Sequence, residues 1–232
     1  MALIDRGLSL LWRLMIMVGL IVGILIPPML LRLINELANT THPWSWQVAS
    51  VIAYFMVFGL VILAGSATTR HYTGTYALKP MTRRDLWLVV GAYLVIIGLE
   101  SGFELINRIV YHQTQTQNNA AIKSLMSGSS LALWMMGLSA IFLTPIAEEL
   151  VFRGALTNLF FQHNWLKILL SGLVFGSLHS SSTLPSFMIY VMMGLVLAGI
   201  YRFSGKIQDA ILLHFLINLA AMSLMLGQIV SG

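Results

Sequence analysis

The sequence predicts an all-α protein, a polytopic transmembrane helical bundle of about seven spans, with about six to eight as the range. Hydrophobic residues make up 58% of the 232 residues and charged residues only 9%, whereas a soluble domain carries about 25% charged residues. Several apolar runs also reach the roughly 20 residues that a helix needs to cross a bilayer. No linker divides the chain, so residues 1–232 are predicted to form a single membrane domain.

Each predicted span is an apolar segment bounded by polar or charged residues. Pro27 and Pro28 should kink or end the first span, because proline removes a backbone donor. The fourth span would be about 46 Å long as one helix, so it should project from the membrane or break near Pro145. Residues 111–130 are predicted to form a polar loop. The seven spans are 8–33, 48–67, 86–110, 131–161, 166–179, 185–203 and 207–230.

The formal net charge is +5, but the basic residues lie mainly between apolar segments, where membrane topology explains them better than nucleic-acid binding. The expected partner is therefore the lipid bilayer and not a nucleic acid. Basic residues favour the cytoplasmic side, so we expect a multi-pass protein of the cell membrane with a cytoplasmic N-terminus and an extracytoplasmic C-terminus. In that orientation the inner basic residues are Arg6, Arg70, Lys79, Arg83, Arg84, Lys167, Arg202 and Lys206, and the outer ones are Arg32, Arg108 and Lys123.

Three charged side chains follow one face of the third predicted span. Glu100, Glu104 and Arg108 are spaced by four residues, so they share a helix face. One interpretation is a polar stripe turned toward the bundle, in which Glu104 and Arg108 pair. The other is that Glu100 or Glu104 lines a substrate cavity, with Phe175 of the fifth span as a further candidate for its wall.

Glycines separated by four residues occur in three predicted spans. Two small residues one helical turn apart allow neighbouring helices to approach closely. We interpret all three pairs as helix-packing positions. The pairs are Gly19/Gly23, Gly98/Gly102 and Gly172/Gly176.

The densest group of charges inside an apolar segment is formed by Glu148, Glu149 and Arg153. A charged side chain in a lipid-spanning helix costs roughly 2.5–3.5 kcal/mol, so it needs a partner or a function. Glu149 and Arg153 are four residues apart and can pair on one helix face, either to support a site or as a purely structural ion pair. Glu148 is rotated from Glu149 by about 100°, and this freer carboxylate is the candidate general base.

Two further polar groups lie in other spans. His179 ends the fifth span, and His214 and Asn218 lie one turn apart in the seventh. Histidine and asparagine can donate hydrogen bonds to an oxyanion, although each group alone could be an interhelical hydrogen bond. Glu148 with the two histidines is also a zinc-ligand set, so zinc and no cofactor both stay open. The other histidines, which we expect to be solvated in loops, are His42, His71, His112 and His163.

In chain order, these groups read Glu148-Glu149-Leu-Val-Phe-Arg153, Phe175-Gly-Ser-Leu-His179 and His214-Phe-Leu-Ile-Asn218. They resemble the motifs Glu-Glu-x-x-x-Arg, Phe-x-x-x-His and His-x-x-x-Asn of the CAAX-protease and bacteriocin-processing membrane proteases, also called the CPBP or Abi family. The similarity covers about residues 140–220, and it looks like the bacterial branch. No motif residue departs from the pattern.

The resemblance implies an α-helical intramembrane endopeptidase that cleaves a membrane-associated peptide or protein. Glu148 and His179 would activate the attacking water, and His214 and Asn218 would form the oxyanion hole. Glu149 and Arg153 would support the site. Whether such enzymes hold a metal, here through Glu148, His179 and His214, is unsettled within the family.

The family also suggests a biological setting. Its eukaryotic members remove the last three residues of prenylated CAAX proteins, and its bacterial members are associated with peptide maturation and bacteriocin immunity. A non-proteolytic immunity or peptide-binding protein on the same fold is the alternative. A small transporter is a third, against which the lack of an inverted repeat argues. The positions of the motif residues along their spans predict a site near mid-membrane that opens toward the cytoplasmic side.

Overall fold

The computed structural model describes residues 2–38, 44–74, 78–160 and 162–231, with side chains described from residue 9 to residue 229 within those ranges. These residues form helices and contain no strand, which confirms the predicted all-α class. Their eight helices are α1 (Ala2–Ala38), α2 (Trp44–Thr73), α3 (Arg83–Val110), α4 (Gln117–Met126), α5 (Ser130–Phe160), α6 (Asn164–Ser177), α7 (Leu184–Ser204) and α8 (Ile207–Ser231).

Six of the helices in the described ranges are long and apolar enough to cross a membrane, namely α1, α2, α3, α5, α7 and α8. That number lies within the predicted range. The fifth predicted span differs, because α6 has only 14 residues and is about 21 Å long. Together with residues 178–183, it connects the end of α5 to the start of α7.

The long helix α5 stays continuous through Pro145, where the sequence suggested a break. It does so by widening into two π-helical segments, Ser139–Leu143 and Leu150–Leu156, on either side of the α-helical segment Thr144–Glu149. Proline cannot donate to the ladder, and π-helical turns often occur at functional sites. Pro27 and Pro28 likewise do not end α1.

The predicted polar loop at residues 111–130 contains the short helix α4, which the sequence analysis missed. Thr116 caps its N-terminus by accepting a hydrogen bond from the backbone N–H of Asn119, at 3.2 Å. Leu125 and Met126 at its other end are buried in the bundle. A helix of this length depends on such tertiary packing, because short helices are marginal by themselves.

The helix termini gather at two ends of the bundle. At the first, which we call the α4 end, Asn35 near the end of α1 donates to the carbonyl oxygen of Leu125 in α4, at 2.9 Å. At the second, which we call the basic end, Lys206 after α7 forms an ion pair with Asp85 at the start of α3, at 2.5 Å. The described basic residues near the basic end are Arg13, Arg70, Lys79, Arg83, Arg84, Lys167, Arg202 and Lys206.

Helices α6 and α7 are antiparallel and in backbone contact at Gly172 and Gly176. A Cβ atom at Gly172 would lie 3.1 Å from the backbone nitrogen of Leu195, and one at Gly176 would lie 3.0 Å from that of Val191. The packing interpretation is therefore confirmed for this pair. The packing interpretation is wrong for the other two pairs. In the first pair, a Cβ atom at Gly23 would meet Val61, but one at Gly19 would meet nothing within 4 Å in the described part of the chain. In the second pair, neither Gly98 nor Gly102 has a described neighbour within that distance.

Candidate active site

The predicted pair of Glu149 and Arg153 forms at the centre of α5. Arg153 Nη1 donates to Glu149 Oε1 at 2.9 Å, and both side chains are fully buried. Arg153 also donates through Nη2 to the carbonyl oxygen of Gly194 in α7, at 3.2 Å, and its guanidinium lies 4.6 Å from the centroid of the Phe175 ring. The ion pair thereby joins α5, α6 and α7 beneath Glu148.

His214 of α8 lies between the two adjacent glutamates. Its Nδ1 is 2.8 Å from Glu149 Oε1, and a carboxylate can only accept, so Nδ1 carries a hydrogen. Its Nε2 faces Glu148 Oε2 at 3.8 Å. Glu149 therefore orients the imidazole ring and leaves Nε2 directed toward Glu148.

His179 lies just beyond the end of α6, where a backbone carbonyl and an aromatic ring hold it. Its Nδ1 is 2.7 Å from the carbonyl oxygen of Phe175, so Nδ1 is again the donor. The ring stacks on Tyr190 with the centroids 4.5 Å apart and the planes 14° apart. No hydrogen bond or ion pair joins His179 to Glu148 within the described residues, so His214 is the histidine that contacts Glu148 directly.

Asn218 lies one turn after His214 on α8 and faces the first π-helical segment of α5. Its Nδ2 donates to the carbonyl oxygen of Ala140 at 2.8 Å. An amide nitrogen has two hydrogens, so one donor remains for another acceptor. The contact also fixes α8 against α5.

A cavity of about 440 Å³ brings the predicted catalytic residues together. Glu148, His179, His214 and Asn218 all line it. Phe175 and Glu100 also line the cavity, in agreement with the interpretation that a glutamate of α3 faces it. The rest of its wall is mainly apolar and includes Tyr54, Phe58, Met136, Met193, Met222 and Met225.

Glu104 and Arg108 do not belong to that cavity. Both are exposed, and they line a separate polar cavity of about 310 Å³ beside residues 113–116. They form no ion pair in the part of the chain that the structure describes. The predicted pairing is therefore wrong, and of the two α3 glutamates only Glu100 faces the same cavity as Glu148.

Sequence reasoning missed Tyr190, which forms part of the cavity wall behind His179. Its hydroxyl is 2.8 Å from that of Thr116, just before α4. Ser186, four residues earlier, hydrogen-bonds Asn107 of α3 at 2.7 Å. A serine and a tyrosine four residues apart in an apolar span share a face, and this spacing was the available signal.

The remaining histidines are remote from the cavity. His71, His112 and His163 are exposed, although His71 lies in the last turn of α2 rather than in a loop. His42 lies outside the described residues. These positions give no further histidine to the site.

The residues named for a metal have suitable donor atoms but not a suitable arrangement. Both histidines hydrogen-bond through Nδ1 and leave Nε2 outside that contact, as metal-ligating histidines do. Within the described ranges, however, no group of three or more His, Asp or Glu side chains is close enough to hold a metal ion. The three-residue metal site of Glu148, His179 and His214 stays a prediction, and no chemical step below depends on it.

The fold and the site together define a class of protein. It is a polytopic helical membrane protein in which α5, α8 and the segment after the end of α6 direct Glu148, two histidines and an asparagine to the wall of a largely apolar cavity. Buried ionisable residues of this kind, inside membrane-spanning helices, mark functional sites.

Comparison with known proteins agrees with that class. Residues 130–220 match the sequence profile of the family described as Type II CAAX prenyl endopeptidase Rce1-like. This region contains all three motifs, so the resemblance to that family is confirmed for this part of the chain. UPF0177 protein YbdI of Lactococcus lactis subsp. lactis (strain IL1403) is 26% identical over 171 residues, which cover 73% of this chain and 88% of that relative. No solved structure gives a significant match.

Proposed function

We propose that the protein is an intramembrane endopeptidase that hydrolyses a membrane-associated peptide or protein within the α5–α6–α8 cavity. The observation that carries the proposal is the environment of Glu148. Its side chain is buried on the cavity wall, its Oε2 has no hydrogen-bond partner in the described structure, and a histidine oriented by Glu149 faces it. An unpartnered carboxylate beside an oriented imidazole is suited to proton transfer.

The charges of the site support a shared proton between Glu148 and His214. Glu149 and Arg153 neutralise each other as a buried pair. The remaining two groups are neutral in sum whether the proton lies on Glu148 or on His214. A buried cluster favours such balanced charge states, because uncompensated charge in a low-dielectric interior is costly. The proton can therefore move between these groups without adding net charge.

In the proposed reaction, Glu148 takes a proton from water while the water oxygen attacks the scissile carbonyl carbon. The carbonyl electron pair moves to oxygen, and this oxyanion accepts hydrogen bonds from protonated His214 Nε2 and from the remaining N–H of Asn218. The C–N bond then breaks, and the leaving nitrogen takes the proton from Glu148. The products are a carboxylic acid and an amine. His179 lies on the same cavity wall, where its ring can assist Glu148 in activating the water.

The cavity wall indicates the kind of substrate. Methionine and aromatic side chains surround the catalytic groups, and flexible methionines accommodate varied apolar shapes. This lining suits an apolar peptide segment better than a polar one. A role in bacteriocin or peptide maturation, or in self-immunity, is consistent with such a substrate and with the family.

The decisive experiment compares Glu148→Gln with Glu104→Gln. Both remove one carboxylate, but only Glu148 lies at the site. Glu148→Gln should lower the cleavage rate of an apolar test peptide in proteoliposomes by roughly 10²–10⁴-fold, whereas Glu104→Gln should retain the parental rate. Equal cleavage rates in the parental protein, Glu148→Gln and Glu104→Gln would refute the peptidase mechanism. Retained immunity or peptide binding in Glu148→Gln would favour the non-proteolytic alternative.

The proposed steps use only side chains of this chain, so activity should survive removal of metal. Purified protein dialysed against a chelator should keep its cleavage rate, with elemental analysis showing well below one zinc ion per chain. Glu148→Gln, treated in the same way, controls for contaminating peptidases. One zinc ion per chain, lost together with activity, would contradict the metal-free mechanism.

A further inference from the structure

The cavity that contains Glu148 lies mainly in one half of the bundle, although Phe152 lines it from just beyond Glu148. Helix α1 lines it with residues 23–32, and α8 lines it from His214 onward to Met225. Helix α4 contributes residues 118–125. The helix segments that line the cavity are therefore mainly those between the site and the α4 end, where exposed Arg32 and half-exposed Asn118 and Asn119 form the rim.

The other half of the bundle is closed beneath the site. Arg153, Leu156 and Leu197 are at most 4% exposed. Arg202 of α7 donates to the carbonyl oxygen of Arg153 at 3.5 Å and also to the hydroxyl of Thr157. The described residues thus form a packed layer between Glu148 and the basic end. A substrate would reach the site from the α4 end.

Charge distinguishes the two ends in the same structure. Of the described basic side chains, eight lie near the basic end. They lie in and beside the loops that join α2 to α3 and α7 to α8, at the start of α6, and on α1, where Arg13 donates to the carbonyl oxygen of Leu159. Near the α4 end the described basic side chains are Arg32, Arg108 and Lys123. Lysine and arginine are enriched on the cytoplasmic side of membrane proteins, and acidic residues contribute little to this bias. The basic end is therefore the cytoplasmic one.

We propose that the cavity opens to the extracytoplasmic side of the membrane and takes a peptide or protein segment presented there. The cavity faces the α4 end while the basic residues gather at the opposite end, so the two features together determine the side of access. This proposal replaces the sequence-based expectation of a cytoplasmic opening. The chemistry performed on the segment rests on the proposed peptidase function, whereas the side of access does not.

The absence of cysteine from the chain allows a direct test, because each single-cysteine variant carries one thiol. Asn119→Cys reports on the cavity rim, Gln115→Cys on the exposed surface of the α4 end and Arg84→Cys on the exposed surface of the basic end. Each variant is expressed in cells and treated with a charged, membrane-impermeant maleimide, before and after permeabilisation. Asn118→Cys replaces Asn119→Cys if the latter fails to accumulate in the membrane.

Asn119→Cys and Gln115→Cys should react in intact cells, and Arg84→Cys only after permeabilisation. Reaction of Arg84→Cys in intact cells would reverse the orientation and overturn the proposal. So would a rim thiol that reacts only after permeabilisation while Gln115→Cys reacts before it. The same labelling in a Glu148→Gln background should be unchanged, so a failure of the access proposal is distinguishable from a failure of the peptidase proposal.

Discussion

The two halves of the bundle on either side of Glu148 differ in how they hold their carboxylates. Toward the basic end, Glu149 and Arg153 are paired and enclosed, and α6 and α7 touch through their backbones. Toward the α4 end, Glu148 and Glu100 face a cavity, and Oε2 of Glu148 has no hydrogen-bond partner among the described residues. A rigid half that holds a buried ion pair can support a second half whose carboxylates face a cavity.

The largest effect that would test this comparison is expected from Glu149→Gln. The change leaves Arg153 as a buried cation without its counter-ion, and removing one partner of such a pair costs about 3–5 kcal/mol. Unfolding of the purified protein in detergent would measure the loss. Glu148→Gln is the matched control and should change the unfolding free energy by about 1 kcal/mol or less. Equal losses would show that the two glutamates do not differ structurally.

A smaller effect is expected at the contact between α6 and α7. Gly172→Ala would force a methyl group against the backbone of Leu195, and overpacking of this kind typically costs about 1–3 kcal/mol. The same unfolding measurement on Gly98→Ala provides the control, because the space beside Gly98 is open. That variant should be neutral, or more stable by up to about 1 kcal/mol. Comparable destabilisation of both variants would remove the packing distinction.

The smallest effect concerns the open half. Glu100 lines the cavity but does not contact Glu148, so Glu100→Gln should act on substrate binding more than on the chemical step. We expect KM for the apolar test peptide to rise by about 3–10-fold, or about 0.7–1.4 kcal/mol, with kcat unchanged. Glu104→Gln, one turn away and outside the cavity, should leave both constants unchanged. A change in kcat alone would instead place Glu100 in the catalytic step.

The sequence predicted most helices with ends close to those observed. The predicted spans 86–110, 185–203 and 207–230 correspond to α3, α7 and α8. These segments are long and apolar, and a lipid-exposed backbone must satisfy its hydrogen bonds within the helix. The helix α4 was missed, because its polar sequence becomes helical through a cap and through burial of its last two residues.

The candidate site was predictable as a set of residues but not as an arrangement. Helical spacing was sufficient to pair Glu149 with Arg153. Spacing could not show that Glu149 also orients His214, since α5 and α8 are separated by 65 residues at that contact. The same limit applies to Glu100 and Glu104, which share one helix face in the sequence but line different cavities in the structure.

By itself, the sequence determined that this chain is an all-α membrane protein and that its ionisable residues inside spans belong to one family of motifs. The first conclusion follows from composition and local periodicity, and the second from the resemblance of the three motifs to those of a known family. Neither needs knowledge of neighbouring helices. Only the tertiary structure decided which residue orients His214, which histidine faces Glu148 and toward which end the cavity extends. Those properties depend on the distances between helices that are far apart in the chain, and the packing of α5 against α6, α7 and α8 sets them.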